Sequence, residues 1–202
     1  GEICQRNGVL VLADEIHHDI VFAGNKFIPY AVLGEKYSAQ SLTGTSASKS
    51  FNLAGLQTAN VIIPDTALRN SFKNTMVDNG LFGMNPFGIV ATEAAYRSSA
   101  QWLDALIGYL QDNIALVREF LRDRIPKLKL IEPEATYLLW IDCRDTGLTG
   151  DEIHQRTMDD AKLHLNKGAM FGPEGAGFER MNIGCPRSVV KQALVRLERC
   201  FG

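Results

Sequence analysis

Between residues 101 and 124, apolar side chains return at Leu103, Leu106, Leu110, Ile114, Val117 and Leu121. Steps of three and four are the period of an α-helix buried along one face, here sustained over about six turns. No other feature restricts the fold as much. A helix of that length is a natural bridge between two domains, so the boundary is expected inside it, near residue 115. The domains are then 1–115 and 116–202.

On both sides of this helix, strands and helices alternate. Residues 8–13 (Gly-Val-Leu-Val-Leu-Ala) form a short, continuous apolar run of the kind buried in a parallel sheet. Residues 40–45 and 58–63 read as two further strands. Asp65 is a suitable N-cap for a helix over 65–79, and a second helix is expected over 88–98. Beyond the bridge, strands are expected at Lys129–Ile131, 135–142, 163–166 and 180–183. Helices are expected at 151–162, capped near Thr149 or Gly150, and at 188–201. The fold class is α/β: part of a large domain with a mixed, mostly parallel sheet, followed by a small α+β C-terminal domain.

Composition excludes several classes of function. The chain has 202 residues, 46% hydrophobic and 22% charged, with a net charge of −2. It carries no basic run to draw a nucleic acid and no apolar stretch of membrane-spanning length. The four cysteines, Cys4, Cys143, Cys185 and Cys200, are scattered without metal spacing, which fits a reduced, cytoplasmic setting better than a disulfide framework.

The chemistry concentrates in residues 43–60, Thr-Gly-Thr-Ser-Ala-Ser-Lys-Ser-Phe-Asn-Leu-Ala-Gly-Leu-Gln-Thr-Ala-Asn. Lys49 lies on a tight connection between two expected strands, among short hydroxyl residues. A lysine in a mostly apolar pocket can serve as nucleophile and base. Ser46 and Ser48 beside it could hold an anion. Asp14 arrives where the apolar strand should end, and open α/β sheets place their ligands at the carboxyl ends of their strands. A lysine, anion-binding hydroxyls and a carboxylate are what a pyridoxal-phosphate enzyme needs.

Ala-Asp-Glu-Ile-His-His-Asp, followed by Ser-Ala-Ser-Lys-Ser-Phe-Asn-Leu-Ala-Gly-Leu-Gln, resembles the fold-type-I pyridoxal-phosphate family of class I and II aminotransferases. Within that family the likeness is to the carbon–sulfur β-lyase, cystathionine β-lyase-like branch. The resemblance implies that Lys49 carries the cofactor and moves the Cα proton. It also implies that Asp14 pairs with the pyridinium nitrogen and that Ser46 and Ser48 bind the phosphate. His17 stands where many relatives have a tyrosine bonded to the ring oxygen. Gln57 stands where many have a phosphate-binding arginine. Arg180, in Phe-Glu-Arg-Met-Asn-Ile-Gly, resembles the arginine that grips the substrate α-carboxylate, with Asn182 and Gly184 matching beside it.

Residues 79–87 are implied to lie near a subunit interface of a homodimer. The substrate implied is a small amino acid, with neither nucleic acid nor membrane as partner. By comparison with the family, the chain corresponds to about the second half of a subunit. The remaining half would carry the first phosphate-binding turn and the aromatic residue stacked on the ring.

Tyr137 and Trp140 alternate as strand residues do and read as core. Arg187 reads as a surface residue at a helix start. The glycines at 172, 175 and 177 read as a turn that admits Arg180. No metal site is expected, since the adjacent His17 and His18 point apart. Elimination of a thiol from a cysteine S-conjugate is the favoured activity and amino-group transfer the alternative. A third reading is a chain that folds without turning over substrate. Residues 8–17 also imitate the metal-binding strand of a DExH helicase, but the phosphate loop and closing arginines of that class are absent.

Overall fold

Short strands and helices build the region around Lys49 in the first half of the chain. A short helix α1 (Glu2–Arg6) leads into strand β1 (Val11–Asp14), helix α2 (Glu35–Ser38), strand β2 (Ser41–Thr45), helix α3 (Ala47–Ser50) and strand β3 (Asn60–Ile62). Two longer helices follow, α4 (Thr66–Asp78) and α5 (Pro86–Ser98), and then α6 (Ala100–Arg124). The computed structural model describes residues 1–81 and 83–202, so Phe82, within the 79–87 loop, lies outside the described residues. The chain divides into two compact units, Gly1–Asp104 and Ala105–Gly202, and the division falls within α6.

In the first unit the sheet runs β1-β2-β3. β1 pairs with β2 in parallel, Val11 opposite Ser41 through Asp14 opposite Gly44. β3 returns antiparallel to β2, with Thr43 opposite Ile62. The buried apolar residues of this unit are Ile20, Phe22, Ala47, Ile63 and Ala95, joined by the buried hydroxyl residues Ser41, Thr43, Ser46 and Ser50.

The apolar run at 8–13 is not buried as its composition suggests. The strand begins only at Val11, and Leu12 remains 73% exposed. Val61 and Ile62 on β3 are exposed as well. No element among the described residues packs over those side chains, so the run keeps its β geometry without its burial.

Helix starts follow side-chain chemistry. Asp65 Oδ1 accepts the Leu68 N–H at 2.7 Å, a cap worth about 1 kcal/mol. α5 starts two residues before the expected position. Asn85 caps the Phe87 N–H at 3.1 Å, and Pro86 occupies the first helical position, where its missing N–H costs nothing.

The second unit has a fuller core. α6 buries Leu110, Ile114, Val117 and Leu121, the stripe its sequence period marks. Strands β4 (Lys129–Ile131), β5 (Leu138–Asp142), β6 (Asn166–Lys167) and β7 (Phe178–Asn182) form an antiparallel sheet in the order β4-β5-β7-β6. Helices α7 (Gly150–Asp159) and α8 (Arg187–Phe201) complete the unit. Thr149 and Glu152 cap α7 reciprocally.

β6 is shorter and later than expected because it pairs only where Asn166 and Lys167 face Arg180 and Glu179. Two 3-10 turns, Gly168–Phe171 and Pro173–Gly175, then connect it to β7. Gly168 is required there: a Cβ on it would meet the Gly175 carbonyl oxygen at 2.2 Å.

Candidate active site

The turn that bears Lys49 is held at both ends. β2 runs almost directly into α3, with Ser46 between them in extended backbone. Ser46 Oγ accepts the Ser48 N–H at 3.0 Å and donates to the Thr58 carbonyl at 2.6 Å. At the other end, the fully buried Ser50 donates to Asp19 Oδ2 at 2.7 Å. The next ring, Phe51, meets Tyr96 edge-on at 5.2 Å and lies 6.1 Å from Trp102.

Chain reversal after the turn uses two left-handed residues, Asn52 (φ 55°) and Gln57 (φ 50°). Such a conformation costs about 1 kcal/mol in a residue with a side chain. It brings Thr58 back over Ser46. Lys49 sits half-buried in the middle of this arrangement. Among the described residues its Nζ has neither a hydrogen-bond nor an ion-pair partner.

Asp14 ends β1 opposite Gly44, and the following Glu15 N–H donates to the Gly44 carbonyl at 2.9 Å. Asp14 and the lysine turn thus occupy the carboxyl ends of adjacent parallel strands, where α/β sheets bind ligands. The Asp14 carboxylate accepts a long contact, 3.4 Å, from the Ile16 N–H. Glu15 is spent otherwise: its carboxylate accepts the Tyr30 N–H at 2.7 Å.

His17 is half-buried in the turn after β1, and its carbonyl accepts the Ile20 N–H at 3.1 Å. His18 points elsewhere, with Nδ1 2.6 Å from the Glu15 carbonyl and Nε2 3.0 Å from Asp19 Oδ1.

The two serines divide their work. A hydroxyl has one proton, and that of Ser46 is given to Thr58, so Ser46 shapes the turn in this structure. The Ser48 side chain makes no hydrogen bond among the described residues, and its N–H is held by Ser46.

Arg180 belongs to the second unit. It lies on β7, and Asn166 Oδ1 accepts from its Nε at 3.3 Å and its Nη2 at 3.0 Å. Its guanidinium rests 4.4 Å above the ring of Phe171, which the glycine-rich turns before β7 bring there. Among the described residues no carboxylate pairs with it. Trp140 stacks on Phe178 at 5.4 Å and meets Phe171 edge-on at 5.8 Å, so it belongs to an aromatic wall beside Arg180. Burial pushes the half-buried Tyr137 phenol above its ordinary range.

Arg187 is more than a surface residue. Its Nε donates to Asn113 and its Nη2 to Asp112, both at 3.0 Å, tying the start of α8 to α6.

Sequence reasoning missed two groups of polar contacts. The first is Asp19 with Ser50, Tyr96 and His18. The second is His154 Nδ1 against Glu179 Oε1 at 3.0 Å, beneath α7. Glu179 is 2% exposed, and among the described residues its Oε2 has no partner. Burial raises its carboxyl above the ordinary value, with His154 pulling the other way. The partners in each group are far apart in sequence, so no local spacing announces them.

The mixed sheet, the lysine turn and the carboxylate beside it define a class. The chain belongs to the class I and II aminotransferase family, which matches residues 1–197. It is 40% identical over 198 residues to the cystathionine beta-lyase PatB of Bacillus subtilis, a match covering 98% of this chain and 51% of PatB. The structure is similar to that of cystalysin from Treponema denticola, which contains pyridoxal 5'-phosphate. The TM-score is 0.94 at 29% identity, over 98% of this chain and 50% of that one. It is also similar to the PLP-bound C-S lyase from Staphylococcus hominis, with a TM-score of 0.88 at 32% identity, over 100% of this chain and 51% of that one. The chain spans about half the length of these relatives. The α/β class expected from the sequence is the fold they share, and the helicase reading falls with it.

Proposed function

We propose that this chain carries the lysine and the ring-binding carboxylate of a pyridoxal-phosphate-dependent carbon–sulfur β-lyase. The substrate class is a cysteine S-conjugate of the cystathionine type, and the products are a thiol, pyruvate and ammonia. One observation carries the reading. Among the described residues, a half-buried lysine without a hydrogen-bond or ion-pair partner and a carboxylate without a lysine or arginine partner stand at the carboxyl ends of adjacent parallel strands. The similarity to PatB, to cystalysin with its pyridoxal phosphate and to a PLP-bound C-S lyase supports it.

These residues fit the cofactor. An amine engaged in a salt bridge could not join an aldehyde, and Lys49 is not so engaged among the described residues. A carboxylate neutralised by arginine or lysine could not hold a protonated pyridine nitrogen, and among the described residues no arginine or lysine pairs with Asp14. When bound, pyridoxal phosphate supplies an electron sink for charge developing at the substrate Cα.

Each residue then has a task. Asp14 would accept the ring N–H and keep that proton in place. Lys49 Nζ would hold the cofactor and, as a free amine, would take the proton from the substrate Cα. Ser48 contributes its hydroxyl to the phosphate. Ser46 contributes by holding the Ser48 N–H unless its own hydroxyl turns away from Thr58. Gln57 adds no charge where an arginine would. His17 donates toward the ring oxygen. Arg180, in the second unit, receives the substrate α-carboxylate in its planar fork. The working form is proposed to be a homodimer.

The full-length protein provides the test. A lysine-linked cofactor absorbance band that disappears in Lys49→Ala, together with pyruvate release from cystathionine, is the expected result. A Lys49-dependent band with keto-acid exchange and no pyruvate would make the protein an aminotransferase, as the family match alone allows. Absence of any band would overturn the cofactor assignment.

A further inference from the structure

The buried serine that follows Lys49 leads to a residue no part of the proposed chemistry uses. Ser50 is 0% exposed, and its Oγ donates to Asp19 Oδ2 at 2.7 Å. The same oxygen accepts the Tyr96 hydroxyl of α5 at 3.1 Å. The other carboxylate oxygen lies 3.0 Å from His18 Nε2. Asp19 therefore gathers the end of α3, the face of α5 and the segment after β1 on one carboxylate. Tyr96 is doubly committed, since its ring also braces Phe51. Burial and the charge of Asp19 push its phenol up to about 12, so it remains a donor across the working range of any such enzyme.

The arrangement does more than fill space. Without Asp19 the buried Ser50 hydroxyl would lose the acceptor that ties it to the segment after β1. The α3 turn is a single turn of helix and has little stability of its own. Its N-terminal end is fixed by Ser46 on Thr58, and its C-terminal end by Ser50 on Asp19. Lys49 lies between these anchors, so the direction of its side chain follows from both. Asp19 also sits in the segment that begins with Asp14. The two carboxylates link the lysine and the ring-binding group through one short stretch of backbone.

We propose that Asp19 is a positioning residue for Lys49, fixing the lysine turn relative to the end of β1 through its shared hydrogen bonds with Ser50 and Tyr96. This rests on the reading of Lys49 as the cofactor-bearing lysine. Displacement of a reacting group by about 1 Å can cost on the order of a hundredfold in rate. Asp19→Ala should therefore lower kcat about a hundredfold with little change in substrate KM. Asp19→Asn, which keeps an oxygen for Ser50 and Tyr96, should recover much of that loss. Tyr96→Phe keeps the ring against Phe51 and should cost less than Ser50→Ala, whose bond is the shorter.

The test uses the full-length holoenzyme and a second readout besides turnover. Each apoprotein is incubated with pyridoxal phosphate and reduced with borohydride, and the modified Lys49 peptide is quantified by mass spectrometry well below the melting temperature. The expected result is strong trapping at Lys49 in wild type. Trapping should be slower in Asp19→Ala and Ser50→Ala and nearly restored in Asp19→Asn. If wild type traps no cofactor at Lys49, the functional reading itself fails, and this inference with it.

If wild type traps at Lys49 but Asp19→Ala matches it in trapping rate and kcat, the cofactor reading stands and the positioning role is refuted. Should Asp19→Ala not fold, Ser50→Ala decides alone. A folded Ser50→Ala with wild-type trapping and kcat refutes the proposal, and slowed trapping with unchanged KM supports it.

Discussion

Replacing Gly88 by alanine sets two effects of known size against each other next to the lysine turn. The glycine lies in the first turn of α5. A Cβ there would stand 1.8 Å from Thr58 Oγ1, 3.0 Å from Thr58 Cβ and 3.2 Å from the Leu56 carbonyl oxygen. Helix propensity favours alanine over glycine by about 1 kcal/mol. Forcing a methyl group into a packed contact costs about 1–3 kcal/mol. Thr58 could relieve the shortest contact by turning its hydroxyl away, at the loss of its 3.1 Å hydrogen bond to Leu56, about 1 kcal/mol more.

The remaining two contacts, with a Cβ and a main-chain oxygen, do not yield to a side-chain rotation. Packing should win, leaving Gly88→Ala less stable by about 1–2 kcal/mol. Trp102 lies in the first unit and Trp140 in the second, so urea unfolding in a Trp140→Phe background lets Trp102 fluorescence follow the unit concerned. Thr58→Ala removes the hydroxyl and should recover part of the loss, making the pair non-additive. Gly88→Ala as stable as wild type, or fully additive with Thr58→Ala, would refute the packing argument.

One substitution and one labelling experiment test the second unit. Glu179 has a carboxyl raised by burial, so the folded state holds its proton more tightly than the unfolded state. Its contribution to stability is complete below the ordinary value of 4.5 and is lost as pH rises through the raised one. Glu179→Gln should therefore gain on wild type in urea-unfolding midpoint from about pH 4.5 upward, and parallel pH curves would contradict this. Cys143 is 2% exposed, and burial pushes its thiol up to about 12. Iodoacetamide at mildly alkaline pH should leave it unmodified in the native chain and label it on unfolding, while labelling in the native state would show that the unit opens there.

The sequence reveals what is local and periodic. The stripe on α6, the Asp65 cap, the Thr149 cap and the strand–turn–strand around Lys49 all rest on neighbours within a few positions, and each is found in place. α2 is too short to show a period, and of the two 3-10 turns before β7 only the glycine-marked one near residues 172–177 is legible. Strand bounds were legible only to within a few residues, because β6 and β7 are bounded by what lies opposite them. The site divides the same way. Lys49 and Asp14 stand out by type and position. The Asp19–Ser50–Tyr96 contacts and the anchoring of Arg187 on Asn113 join residues that only the folded chain brings together. Burial was the least legible property. Leu12 has the composition of a core residue, and whether it is covered depends on atoms its sequence neighbours do not supply.

The order β1-β2-β3 leaves β1 and β3 as outer strands, with Leu12, Val61 and Ile62 open to solvent. Unpaired backbone beside apolar side chains is a template for another strand. For the chain handled by itself, association is then a second-order process competing with first-order folding. Protein concentration during refolding decides which prevails, so dilution does for the first unit what no change to the lysine turn could do.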